Sequence, residues 1–488
     1  MSKNFSILHI SDLHRITSEN VACVIASFEV EVEYYRAQHI PMPAFIVVSG
    51  DIVNGSNEED SLKAKIEIQE QYRVASQFLG ELCNIFLDGV RERVIIVPGN
   101  HDMSRYMSRA SMTEIKGGDM MPLVNALWEE NTHIRWSWGS LSFHQITDED
   151  TYNARFQDFI DFYNDFYKYS DSHRVFPTDP ERQSFIVDFK DQNITFACFN
   201  SCYHLDHLQA SGYISPNSLS SLSRELLEKK RLGRFIVAVW HHHTQGQPKE
   251  NNYLNNRILD NMSKYGIRLA LHGHQHISGI LNEYHDIFTE DRMWLVSAGT
   301  VYGNQDDMVP GTNRQFNLII VHRDNTQCSI DLLSREDRSM LNPQPIWESG
   351  LIGRSTSTCY QFSVILDPIV LVDDDETLKM ELNRISMDAE RTGNFDQAAR
   401  KLLEQDVNNP MVRKYLLDYL QKSGNHKLVT EVFVNSRTVS EAIQFIDSCI
   451  KTKDTDALMQ FQSKTDSSIY ANPSVKAILN EAKAILRI

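Results

Sequence analysis

The sequence predicts an α/β domain carrying a long insert, followed by an α-helical tail. Three observations lead there. Short apolar, β-branched runs repeatedly end in polar residues and give way to helical spacing; an aromatic-rich stretch interrupts this pattern over residues 103–193; and residues 373–488 carry helical spacing with a faint internal repeat.

The runs are Ile7–Ile10, Ala44–Val48, Arg93–Val97, Ile194–Phe199, Phe235–Trp240, Ile267–Leu271 and Met293–Val296. Near-continuous apolar runs of this length are the pattern of strands buried on both faces. They end at Asp12-Leu13-His14, Gly50-Asp51, Gly99-Asn100-His101-Asp102, Asn200-Ser201, His241-His242-His243, Gly273-His274-Gln275-His276 and Ser297-Ala298-Gly299-Thr300. Open α/β sheets place their sites at the carboxyl ends of strands.

The insert holds Trp128, Trp136 and Trp138, and then Phe156, Phe159, Phe162, Tyr163, Phe166 and Tyr167 at the spacing of one helical face. A packed face of an inserted helical subdomain is the preferred reading over a base-stacking surface. Residues 1–325 are therefore expected as one domain with its insert, and residues 326–372 as a connector. In the connector Cys328–Leu333 and Phe362–Leu366 read as strands and Ser334–Thr358 as loop. Residues 373–488 form the helical domain, opened by Asp373, Asp374, Asp375 and Glu376, which suit a helix start. Within it Asn394, Asn425 and Asp454 recur in similar contexts, 31 and then 29 residues apart. This spacing predicts stacked helical pairs that resemble tetratricopeptide repeats but are shorter, and a protein partner is expected on them.

The formal net charge is −17. Residues 373–488 hold 16 Lys and Arg against 18 Asp and Glu, so −15 of it lies in residues 1–372. Extended nucleic-acid faces need clustered Lys and Arg. The balance argues against such a face and leaves room for a small basic groove. Seven cysteines without a framework predict a reducing compartment, read as the cytoplasm. No charged leader precedes the first strand and no run of about 18 apolar residues occurs, so neither a signal peptide nor a membrane span is expected.

Five of the strand-end motifs carry metal-ligand chemistry: Asp12-x-His14, Gly50-Asp51, Gly99-Asn100-His101-Asp102, His241-His242-His243 and Gly273-His274-x-His276. Singly each is weak; in this order at successive strand ends they resemble the calcineurin-like metallophosphoesterase superfamily. The resemblance covers roughly residues 5–322. It implies a four-layer α/β/β/α sandwich with two divalent cations. Asp12, His14, Asp51 and His276 would hold the first, and Asp51, Asn100, His241 and His274 the second, with Asp51 shared. Carboxylate and imidazole donors suit manganese first, with iron, zinc, magnesium or nickel as alternatives. A shared carboxylate holds two cations about 3.5–4 Å apart and supports attack by an activated water on phosphorus. His101 is expected to protonate the leaving oxygen, with Asp102 orienting its ring. His241 is the ligand expected from its run of three, with His242 behind the metals or at the substrate.

His204 and His207 lie in a loop resembling the one that flanks the family's active site, and are expected to touch substrate. With Cys198 and Cys202 they have a zinc-like composition, but Cys198 falls within a strand, so core and loop roles are preferred. Phosphoprotein phosphatases of the superfamily carry Gly-Asp-x-x-Asp-Arg-Gly, where this chain reads Gly50-Asp-Ile-Val-Asn-Gly-Ser56. The missing Arg turns the expectation toward phosphodiesterases, resembling the class III cyclic nucleotide and DNA-repair exonuclease branches. The expected substrate is a nucleotide or nucleic acid diester. Two alternatives stand beside it: a nuclease guided by a partner on the tail, and a catalytically silent scaffold.

Overall fold

The computed structural model describes the chain apart from residues 1–2, 15, 118, 130–131, 171–172, 247–251, 255–256, 286–291, 305–307, 325, 340–341, 354 and 368–373. Two compact units divide it, Met1–Val370 and Leu371–Ile488.

Two larger sheets organise the first unit. In one, Lys3–Ile10 lies between Gln315–Arg323, antiparallel to it, and Pro43–Val48, parallel to it; Val94–Ile96 extends the parallel side. On the other flank Gln327–Asp337 pairs with Gln315–Arg323, and takes Trp347–Gly350 and Cys359–Ile365 as further partners. The stretch expected as a connector thus adds three strands to this sheet. Ser334–Thr358 reads as loop from its Ser, Pro, Gly and Arg content, yet its first residues continue the strand, where Arg335 is buried against Glu31 with two contacts of 2.7 Å. A paired guanidinium tolerates burial that an unpaired one does not.

The second sheet runs in the order Gly279–His285, Arg292–Ser297, Ile267–His272, Phe235–Val239, Ile194–Phe199, Ser184–Phe189, parallel except at its two edges. Successive side chains of a strand point to opposite faces, and both faces here are apolar. Phe5 and Ile7, Phe45 and Val47, and Ile95 and Val97 share a buried cluster with Phe196 and Cys198, and with Val237 and Val239 of the second sheet. The alternate residues Leu8, Ile10, Ile46, Val48, Val94 and Ile96 pack in another cluster with Phe28 and Phe78 of helices Val21–Ala37 and Ser61–Leu87. Ala197, Phe199, Ile236 and Ala238 join Leu219 and Leu226 of helix Pro216–Arg231 and Leu259 and Met262 of helix Arg257–Lys264. Burial on two sides explains the continuous apolar runs in the sequence.

The insert is not purely helical. It holds a three-stranded antiparallel sheet of Met112–Glu114, Ser142–Ile146 and Ile134–Ser137. Strands of three to five residues are too short to show a period of two. The aromatic segment is the helix Gln157–Tyr167 with its lead-in at Phe156, and all six of its rings are buried in the cluster that Phe28 and Phe78 share. Trp128 and Trp138 of the insert, by contrast, are exposed.

In the second unit the first described helix is Asp374–Thr392; the helix-opening position Asp373 lies outside the described residues. The three recurrent residues prove to be N-caps. Asn394 accepts from the backbone N–H of Gln397, Asn425 from that of Leu428 and Asp454 from that of Ala457, each opening a new helix. The residue before each cap is left-handed: Gly393 and Gly424 at φ 69°, Lys453 at φ 56°. Two of the caps are also tied to the preceding capped helix, Asn425 donating to Asp396 and Asp454 accepting from Thr430. Replacing an N-cap by Ala removes about 1 kcal/mol. We expect Asn425→Ala to lower urea-unfolding stability by about that amount; a loss below about 0.3 kcal/mol would argue that the cap is idle.

Candidate metal centre

The five motifs converge at the carboxyl ends of strands in both large sheets. At three of these ends the backbone leaves the strand through left-handed residues: φ is 56° at Asp12, 54° at Asp51, and 78° and 55° at His274 and His276. Such conformations cost non-glycine residues on the order of 1–3 kcal/mol each and persist where the surroundings over-determine them. They break the strand alternation, so that Asp12 and His14 turn toward the same point. The loops are cross-tied as well. Asp12 N–H donates to the Gly50 carbonyl at 3.1 Å and Leu13 N–H to that of Asp51 at 2.8 Å.

Asp12, His14, Asp51 and His276 place their ligand atoms within 4.8 Å of one another, the metal-capable His, Cys, Asp and Glu group among the described residues. His14 Nε2 faces His276 Nε2 at 3.3 Å, and His276 Nε2 lies 3.2 Å from Asp12 Oδ1. The second expected set gathers beside it. His241 Nε2 is 2.9 Å from Asn100 Oδ1 and 3.3 Å from Asp51 Oδ2, while His274 Nδ1 is 2.8 Å from Asn100 Oδ1. Asp51 faces both sets. Of the three consecutive histidines, His241 turns into the cluster. His242 turns its Nδ1 to Ser201 Oγ at 2.9 Å, and His243 its Nδ1 to the Gln245 carbonyl.

The donor set suits divalent cations. Asp12 is fully buried, its Oδ1 facing the His276 ring. Burial lowers the pKa of His14 and of His274 to about 4, leaving neutral imidazoles with lone pairs to offer. At His241 burial acts in the same direction, yet Asp51 outweighs it and lifts the ring to about 9. A field able to hold a proton on a fully buried imidazole is one able to hold a cation.

One expected contact differs. Asp102 does not stand behind the His101 ring. His101 Nδ1 faces the Asn54 carbonyl at 2.9 Å, and Asp102 accepts instead from Gly99 N–H at 2.7 Å, Ile52 N–H at 3.2 Å and the Tyr72 hydroxyl at 3.1 Å. Asp102 thereby fastens the loop of Asp51 to the loop of Asn100. Its pKa is raised to about 7 by burial first and by Asp51 second. His204 is not on the cavity that Asn100 and His274 line. Its ring packs against Tyr213, centroids 4.1 Å apart, beside a hollow lined by Trp136.

His207 does reach a cavity at the centre. That cavity, of about 410 Å³, is lined by Asn100, His274, His207 and the two arginines Arg105 and Arg109. The arginines lay outside the sequence expectations, although two Arg four residues apart directly after Asp102, in a strongly acidic chain, were a readable signal.

Glycine is required at Gly99. A Cβ there would lie 2.2 Å from Asp51 Oδ1 and 2.3 Å from its backbone nitrogen. Overpacking of this kind costs about 1–3 kcal/mol, and here it displaces the shared carboxylate. We expect Gly99→Ala to bind less than half the native metal by elemental analysis while remaining folded by circular dichroism; native stoichiometry would show that the loop yields.

The chain belongs to the calcineurin-like phosphoesterase family, whose pattern it matches over residues 5–278. Metal-dependent phosphoester hydrolysis is the chemistry of that class. Comparison with curated proteins gives no match. Among solved structures it is similar to GAP50, described as the anchor in the inner membrane complex of Plasmodium, at 9% identity and a TM-score of 0.34, over 77% of this chain and 93% of that one. Among the described residues no helix is long and apolar enough to cross a membrane.

Proposed function

We propose that the protein is a two-metal phosphodiesterase acting on a nucleotide or nucleic acid. The observation that carries this reading is the pair of donor sets that meet at Asp51: Asp12, His14 and His276 on one side, Asn100, His241 and His274 on the other. When bound, the two cations supply Lewis-acid activation of water and neutralise charge on the phosphoryl oxygens. Manganese is the first choice for a set of carboxylate, imidazole and amide oxygen.

The chain's own groups do the rest. His101 lies with its Nε2 3.9 Å from Asp51 Oδ2 and its ring stacked on that of His14, centroids 5.1 Å apart. The Asn54 carbonyl accepts the Nδ1–H hydrogen bond and fixes the ring, so that the imidazolium form presents Nε2–H toward Asp51. In that form Nε2–H is the proton donor to the leaving alkoxide. Asp102 acts one step back, as the clamp on the loops that present Asp51 and Asn100.

The sandwich of four layers is supported by the three separate clusters on the faces of the two sheets. The repeated caps of the tail support a helical-repeat module that binds a protein partner. All seven cysteines are free, which favours a reducing compartment such as the cytoplasm.

Bis-p-nitrophenyl phosphate tests the activity. Full-length protein loaded with Mn²⁺ is expected to hydrolyse it, to stop on chelation and to recover on re-addition of metal. Metal-loaded protein inert on this ester and on every nucleotide and nucleic acid offered would replace the enzyme reading with that of a scaffold.

A further inference from the structure

Beside the donor sets, Arg105 and Arg109 line the same cavity as Asn100 and His274. Among the described residues neither guanidinium has a carboxylate partner, in a chain of net charge −17. Instead both are held by one residue: Arg105 donates to the Asn57 side chain and Arg109 to its carbonyl. His207, also on the lining, is held through its Nδ1 by Ser108 Oγ at 2.8 Å, which leaves Nε2 as its other polar atom. The acidic residue of the lining, Asp206, is already neutralised: Arg135 contacts it at 2.6 Å and the Tyr152 hydroxyl at 3.1 Å. Burial, and then Arg109, lower the Arg105 pKa, the sign of two like charges crowded together. Paired guanidiniums without a carboxylate partner are matched by a phosphate.

Leu208 and Gln209 join this cavity to the hollow of about 320 Å³ that Trp136, His204 and Tyr213 line. Rings on a hollow beside a phosphate subsite offer faces for a nucleobase.

We propose that Arg105 and Arg109, with His207, bind a second phosphate of the substrate, next to the one being hydrolysed. This deepens the phosphodiesterase reading and rests on it. A cyclic mononucleotide has one phosphate and leaves the arginines unused. An oligonucleotide backbone or a nucleoside polyphosphate fills the subsite, and the aromatic hollow receives the neighbouring base.

The test compares two thymidine oligomers without terminal phosphates, the dimer with one phosphate and the trimer with two, on Mn²⁺-loaded full-length protein; ATP serves as the polyphosphate source. The native protein is expected to favour the trimer, by kcat/KM, by about tenfold or more. The Arg105→Ala/Arg109→Ala variant is expected to lose that preference, and the Lys/Lys variant to keep part of it. ATP hydrolysis with the same dependence on the arginines would make a polyphosphate the source of the second phosphate. Equal kcat/KM for dimer and trimer in the native protein, or equal losses on both in the variant, would overturn the proposal. Protein inert on every ester means that the phosphodiesterase reading has failed, and binding then decides the subsite. Thymidine 3′,5′-bisphosphate, titrated calorimetrically, should bind about tenfold more weakly to the Ala/Ala variant, and unchanged affinity would refute the subsite independently of catalysis.

Discussion

Asp51→Ala is expected to remove phosphodiester hydrolysis almost entirely, by about three orders of magnitude or more in kcat/KM. Asp51 is the one carboxylate that faces both donor sets, with Oδ2 3.3 Å from His241 Nε2 and 3.9 Å from His101 Nε2. Its Oδ1 also accepts the His101 backbone N–H at 2.8 Å. Removing it therefore opens both sets and loosens the loop of the proton donor in one change. Transition-state charge stabilisation of several kcal/mol is lost, and about 1.4 kcal/mol corresponds to a factor of ten. Elemental analysis of the purified variant should show clearly less than two metals per chain. Turnover within tenfold of native, at matched metal and with an intact fold, would mean that the shared carboxylate is not the centre of the chemistry.

A different signature belongs to His101→Ala. No expected metal ligand is removed, so both cations should remain by elemental analysis. Turnover on a natural internucleotide diester should fall by about 10²–10⁴, the usual contribution of a positioned general acid. On a p-nitrophenyl ester the loss should be far smaller, because that leaving group departs without a proton. The ratio of the two losses is the readout. Equal losses on both esters would assign His101 to positioning, and unchanged turnover on the natural diester would remove it from the mechanism.

Much of this centre is legible in the sequence because it hangs on strand ends. A buried parallel strand announces itself as an apolar run, and the residue after it is fixed within a position or two. That is why Asp12, Asp51, Asn100, His274 and His276 could be singled out, and why His241, directly after Phe235–Val239 and Trp240, was chosen from its run; its ring faces Asn100. The partners of Asp102 were not legible. They depend on Ile52 and Tyr72, which come from a loop and a helix far away in sequence. The short strands of the insert lack a period, and the Ser- and Arg-containing stretch after Leu333 hid the end of a strand in which Arg335 pairs with Glu31, about three hundred residues earlier. The caps of the tail were visible as a repeat of 31 and 29 residues before their role was. Spacing survives in a sequence even where its cause is a hydrogen bond.

The left-handed backbone at Asp12, Asp51, His274 and His276 has a consequence beyond geometry. Four such residues together hold strain on the order of several kcal/mol, comparable to the whole stability of an ordinary domain. A cation that binds the folded chain offsets it by mass action, by about 2.7 kcal/mol at a hundred times its dissociation constant. Metal supply is then expected to set not only how fast each molecule turns over but how many molecules survive. In a cell short of the cation the protein should be degraded faster, and its level should follow the metal even where its synthesis does not. Pulse-chase half-lives in metal-depleted and metal-replete cells would read this directly, and equal half-lives would show that the folded chain carries its strain unaided.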